Sequence, residues 1–133
     1  MHTVNAQLLT IDTESRQPIY EQLAEGLKAM IARGDLAEGV TLPPVRQLAA
    51  DLGVNLNTVA EAYRHLQSEG LITVRHGSGA VVSSRTTSGQ SEQELRKPLR
   101  SALTQLLLSG MPTSRVMRMV ADELRFLTKG VKR

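Results

Sequence analysis

The sequence predicts a mainly α-helical chain with one small β wing. Three observations predict it. Aliphatic side chains recur at helical spacing in three segments between residues 18 and 70, each segment stops at a glycine, and two β-rich runs flank the HGSG tetrapeptide just beyond them. With 133 residues, 41% hydrophobic and 22% charged, the chain has the composition of a globular protein with room for one compact domain, or a small domain with an appendage. A large effector-binding or catalytic domain is not expected.

In the first segment, PIYEQLAEGLKAMIARG, Pro18 is pre-set for a first helical turn, and Ile19, Leu23, Leu27, Met30 and Ile31 fall on one side before Gly34. A helix is expected over 18–33. After a polar turn ending at Gly39, Thr41 and Leu42 can form a short strand, and Pro43 and Pro44 then launch a second helix. Val45, Leu48, Ala49 and Leu52 give it one buried face ending at Gly53, and Asn55 is a natural N-cap for a third helix striped by Val59, Ala62, Tyr63 and Leu66. Two amphipathic helices joined by so short a turn must cross at a large angle, as in a helix-turn-helix. The runs LITVR and AVVS, separated by His76, Gly77, Ser78 and Gly79, read as a hairpin with a glycine-permitted tip. Together these make a winged helix-turn-helix head over residues 1–83.

From 84 to 91 the chain is polar and small, as a linker is. Residues 92–133 then read as a short C-terminal two-helix dimerisation tail. Ser91 and Glu94 have capping-box spacing, and Leu95, Leu99, Leu103, Leu106 and Leu107 form a stripe up to Gly110. Pro98 interrupts it, so this helix either begins near residues 96–98 or kinks there. A last helix over 113–128 carries Val116, Val120, Leu124 and Leu127. These stripes are longer than two helices need to cover each other, and a surplus apolar face in a soluble protein marks an interface.

The formal net charge is +3, but it is divided unevenly: residues 1–85 hold seven basic and nine acidic side chains, and residues 86–133 nine and four. Bulk charge therefore does not identify a nucleic-acid-binding part; local placement must. There is no Cys, and His2, His65 and His76 lack metal-ligand spacing, so neither disulfide, metal nor cofactor is expected. One Phe and two Tyr offer few rings for stacking on single strands. The start has no leader pattern and no run approaches the ~20 apolar residues of a membrane span, so the expected address is the cytoplasm.

Burying Val59, Ala62, Tyr63 and Leu66 turns Asn55, Leu56, Asn57, Thr58, Glu61 and Arg64 outward at or near the N-terminal half of the third helix, where a helix-turn-helix reaches base edges in the major groove. Asn57 suits an adenine edge, Thr58 a base or a phosphate, and Leu56 a thymine methyl. Arg46, off the second helix's buried stripe, suits a phosphate or a guanine. Arg75, His76 and Gly77 fall at the wing, where a cation is drawn to the minor groove and glycine lets backbone approach it. Plainer readings stand beside these: Asn55 as a cap only, Leu56 packed on its own turn, Arg64 solvated, and Gly77 serving the turn.

The segments PIYEQL, GDLAEGVTLPPVRQLAADLGVN, NTVAEAYRHLQSEGLI and RHGSGAVV resemble, in order and spacing, the DNA-binding head of GntR-type regulators over residues 18–82. The resemblance implies DNA contacts at Arg46, at Asn55, Asn57 and Thr58, and at Gly77. Pro44 stands where the family commonly has Ser, and Leu56 and Ala60 where many members have Arg. The Asn-x-Asn-Thr-Val form and the short helical tail are similar to the YtrA subgroup, in which the tail dimerises. The expectation is a sequence-specific transcription regulator, a repressor rather than an enzyme, that binds a two-fold double-stranded DNA operator as a homodimer. No membrane partner is expected, and a small-molecule effector is left unspecified. The rival readings are a winged helix used for protein contact, which need not keep a polar third helix, and an enzyme, which would need a nucleophile, base or phosphate loop.

Overall fold

The computed structural model describes residues 9–75, 79–83 and 90–129. Among them are five helices, α1 (Ile19–Arg33), α2 (Val45–Leu52), α3 (Leu56–Ser68), α4 (Glu92–Leu108) and α5 (Thr113–Leu127), and two strands, β1 (Ile72–Arg75) and β2 (Gly79–Val82). His76, Gly77 and residues 84–89 of the expected linker lie outside the described residues.

Each helix of the head begins and ends where local chemistry dictates. Pro18 and Pro44 precede α1 and α2 with φ near −55°, and Gly34 and Gly53 close them in the left-handed conformation with φ 87° and 70°, which favours glycine. Asn55 caps α3, its side-chain oxygen accepting from the Asn57 N–H at 2.7 Å. The apolar stripes converge on one core. Leu23, Leu27 and Ile31 of α1, Leu48 of α2, and Val59 and Leu66 of α3 are almost fully buried, joined by Leu36, Leu42, Ile72 and Val82. Each such side chain contributes about 1.5–3 kcal/mol by leaving water, an upper estimate because the unfolded chain is already partly compact.

The hairpin pairs Ile72 with Val82 and Val74 with Ala80 in antiparallel register. The anticipated short strand at 41–42 is present as a single bridge, Thr41 to Val81, extended by the Leu42 N–H to the Ala80 carbonyl and the Val82 N–H to the Val40 carbonyl, both at 2.8 Å. This bridge ties the turn before α2 to the wing. A second tie is the Tyr63 hydroxyl, which donates to the Pro43 carbonyl at 2.7 Å from within the core. Burial pushes the Tyr63 pKa up, so the hydroxyl remains a donor.

Two contacts bind the ends of the chain to α1. At the N-terminal end Leu9 is buried, and a Cβ built on Gly26 would lie 2.7 Å from Leu9 Cδ2, so the mid-helix glycine admits the crossing segment. Gln22 fixes that segment: its amide oxygen accepts from the Asp12 N–H at 2.8 Å, and its amide nitrogen donates to the Asp12 and Gln17 carbonyls at 3.0 and 2.9 Å. At the other end, α5 packs on α1. Arg33, only 7% exposed, sets its guanidinium carbon 4.2 Å from the centre of the Phe126 ring. Asp35 Oδ2 lies 3.0 Å from Arg33 Nε, as a charge contact rather than an aligned hydrogen bond.

Helix α4 begins with the Ser91–Glu94 capping box: the Ser91 oxygen accepts from the Glu94 N–H at 3.2 Å, and the Glu94 carboxylate from the Ser91 N–H at 3.3 Å. Of the two expectations for this helix, the later start is corrected. The double cap nucleates the helix a full turn earlier, and it runs through Pro98, whose ring leaves no N–H for the Glu94 carbonyl.

Replacing Tyr63 by Phe leaves the buried Pro43 carbonyl unpaired and is expected to lower stability by about 1–3 kcal/mol. Urea unfolding followed by circular dichroism checks this, and an unchanged midpoint would show that the bond contributes nothing. Phe126→Ala is expected to cost about 0.5–2 kcal/mol from the lost ring-cation contact. Slower hydrogen exchange at the α1–α5 junction, rather than faster, would refute it.

Candidate nucleic-acid interface

Because α3 is clamped on its buried side by α1 and α2, its opposite side has one available orientation. Asn55, Leu56 and Asn57 are exposed there and Thr58 is half-buried. Leu56 keeps 43% of its surface in water, so it does not pack down on its own turn. The Asn57 side-chain amide and the Thr58 hydroxyl have no hydrogen-bond partner among the described residues, which leaves donors and acceptors free for a base edge. The Asn55 oxygen, in contrast, is engaged in the cap.

Arg46, in the first turn of α2, is exposed and has no ion-pair partner among the described residues. Among the described residues it is therefore a cation without an internal anion, placed beside the start of the next helix. Arg64 is exposed as expected, but it is not free: its Nε donates to Glu61 Oε1 at 3.2 Å and its Nη2 to the same oxygen. The i,i+3 spacing was the sequence signal for that pair. Hydrogen bonding by Arg64 is the main reason that the Glu61 pKa is lowered, and it outweighs the opposing effect of desolvation. Arg75 ends β1 at the wing, and His76 and Gly77 fall outside the described residues.

The tail residues separate into two groups. Leu95, Leu99 and Leu107 on α4 and Leu124 on α5 are exposed, and Leu103, Leu106, Val120 and Leu127 are half-buried. Val116 is buried within the chain itself, apart from the main core cluster. Among the described residues, no helix is long and apolar enough to cross a membrane.

Residues 19–82, which form α1 through β2, match the family model of bacterial regulatory proteins, gntR family. The HTH-type transcriptional repressor YtrA of Bacillus subtilis (strain 168) is 34% identical over 101 residues, covering 76% of this chain and 77% of that protein. The chain belongs to the GntR family. A transcriptional antiterminator from Listeria monocytogenes EGD-e has the same overall fold, with a TM-score of 0.77 at 29% identity over 89% of this chain and 90% of that one. The head alone is similar to the DNA-binding domain of AraR, solved in complex with an operator: TM-score 0.52, 25% identity, 56% of this chain and 96% of that one. These similar proteins are regulators of transcription, as the sequence led us to expect, and the head is a winged helix-turn-helix followed by C-terminal helices.

Arg46→Ala is expected to weaken binding to a cognate site by about 1–3 kcal/mol with an unchanged circular dichroism spectrum, since the side chain supports no packing. Gel-shift titrations over a salt series separate its two possible targets. A slope reduced by about one unit means a phosphate contact, and an unchanged slope with relaxed sequence preference means a guanine. Wild-type affinity would remove Arg46 from the interface.

Proposed function

We propose that this protein is a transcriptional repressor that binds an inverted-repeat operator as a homodimer, in the cytoplasm, with the helices beyond residue 91 pairing the subunits and the head reading the DNA. The observation that carries the dimer is α4. No residue of α4, all of which are described, is buried, yet Leu95, Leu99, Leu107 and Leu108 lie along it, with Leu108 82% exposed. Met117 and Leu124 of α5 are exposed as well. An amphipathic helix whose apolar side is only partly covered is stable when a second surface covers the rest, and a like helix of another copy is the complementary surface. Each leucine so covered contributes about 1.5–3 kcal/mol, enough in sum to offset the entropy lost on association.

A two-fold axis through the tails would set two α3 helices about one DNA turn or a multiple of it apart, which calls for a symmetric operator. At the head, the DNA-contact set proposed is Arg46, Leu56, Asn57 and Thr58, with Asn55 supporting them as the cap and Arg75, His76 and Gly77 supplying the wing. The similarity to a repressor, and the operator complex of the AraR head, support the reading. Footprinting on the DNA upstream of the protein's own gene would identify an operator.

Leu99→Asp and Leu124→Asp put charge on the apolar faces without touching the head core. Sedimentation is expected to give a dimer for the wild type at micromolar concentration and folded monomers for the variants, with much weaker operator binding. A wild-type monomer, or variants that remain tight dimers, would move or abolish the proposed interface.

A further inference from the structure

With Val59, Ala62, Tyr63 and Leu66 turned into the core, the line on α3 directly opposite them is Asn57, Glu61, Arg64 and Ser68, spaced i, i+4, i+7 and i+11. Glu61 thus stands in the middle of the surface that is to meet a polyanion. A free carboxylate there would only repel phosphates. This one is held instead. Arg64 occupies Oε1, and His65 Nε2 lies 3.4 Å from Oε2, while the His65 ring is itself set against Tyr20 of α1 with centroids 5.0 Å apart.

Each carboxylate oxygen has two acceptor positions: the two Arg64 donors fill those of Oε1, and the His65 contact leaves one on Oε2, so Glu61 is oriented with acceptor capacity on Oε2 and 41% of the side chain still exposed. The Arg64 hydrogen bond also keeps the group ionised, as an acceptor with no donor. In the major groove, guanine and thymine present only acceptor atoms to such a group. Adenine sets an acceptor N7 beside its N6 donor, whereas cytosine offers its N4 amino group alone.

We propose that Glu61 is a specificity-determining residue that accepts a hydrogen bond from cytosine N4 in the major groove, with Arg64 and His65 as positioning residues. The proposal rests on the reading of α3 as the DNA-reading helix. It assigns Arg64 to orienting a base-reading carboxylate rather than to a phosphate or guanine of its own. It also assigns the two successive outward positions of one face different bases, adenine at Asn57 and cytosine at Glu61 one turn later.

The experiment is selection of binding sites from a randomised duplex library by the full chain, its Glu61→Gln variant and its Arg64→Ala variant, each verified as folded by circular dichroism. The wild type is expected to enrich an inverted repeat with cytosine preferred about tenfold at one position of each half-site. Glu61→Gln is expected to move that preference to adenine, because an amide matches the adenine N6 and N7 pair. Arg64→Ala should weaken binding but retain cytosine. If Glu61→Gln selects the wild-type site, the proposal is overturned while the DNA-reading function stands. If Arg64→Ala and Glu61→Gln lose the same base, Glu61 is only a support for Arg64 and the proposal is again overturned. A wild-type protein that enriches no site would overturn both readings together.

Discussion

The constraint on which the rest of the structure depends is the burial of one face of α3. Val59, Ala62 and Leu66 are completely enclosed by α1 and α2, and Tyr63 joins them while reaching the Pro43 carbonyl. A helix held on that many aliphatic contacts cannot rotate without opening voids, which close-packed interiors resist. The outward face is therefore fixed in direction before any DNA arrives. Preorganisation of this kind matters for a polar reading surface, because the side chains are not reordered at the moment of binding.

The same logic extends outward from α1. This helix touches α3, receives Leu9 on Gly26, forms an ion pair from Lys28 to Glu69, the C-cap of α3, at 2.6 Å, and carries α5 through Arg33 and Phe126. It is the common element between the part that faces DNA and the part whose apolar faces remain uncovered. In the proposed dimer, the separation of the two reading faces would then be a property of α1 and its contacts as much as of the tail itself.

Most of the head was legible in the sequence because its core is aliphatic and periodic. Leu23, Leu27 and Ile31, or Val59, Ala62 and Leu66, announce a helix face by spacing alone, and Gly34 and Gly53 announce the ends. What was not legible depends on pairs far apart in sequence. Leu9 sits in a segment too short to show periodicity, and its only trace is a glycine in mid-helix. Arg33 reads as one more cation at a helix end, yet it is buried against a ring from the far side of the chain. In the candidate site, the outward set was legible from the buried stripe, since each helix face defines its opposite. The engagement of Arg64 by Glu61 was legible only as spacing, and Val116, apolar like its neighbours on α5, gave no sign that its own chain would bury it.

The Arg33–Phe126 contact has a consequence for how the protein responds to ionic strength. A guanidinium enclosed against a ring is shielded from mobile ions in a way that an exposed cation such as Arg46 is not. In the proposed complex, rising salt would strip away attraction for phosphate while leaving the junction between head and tail intact. Counterions would govern when the protein lets go of a duplex, and the shape with which it next approaches one would be unchanged.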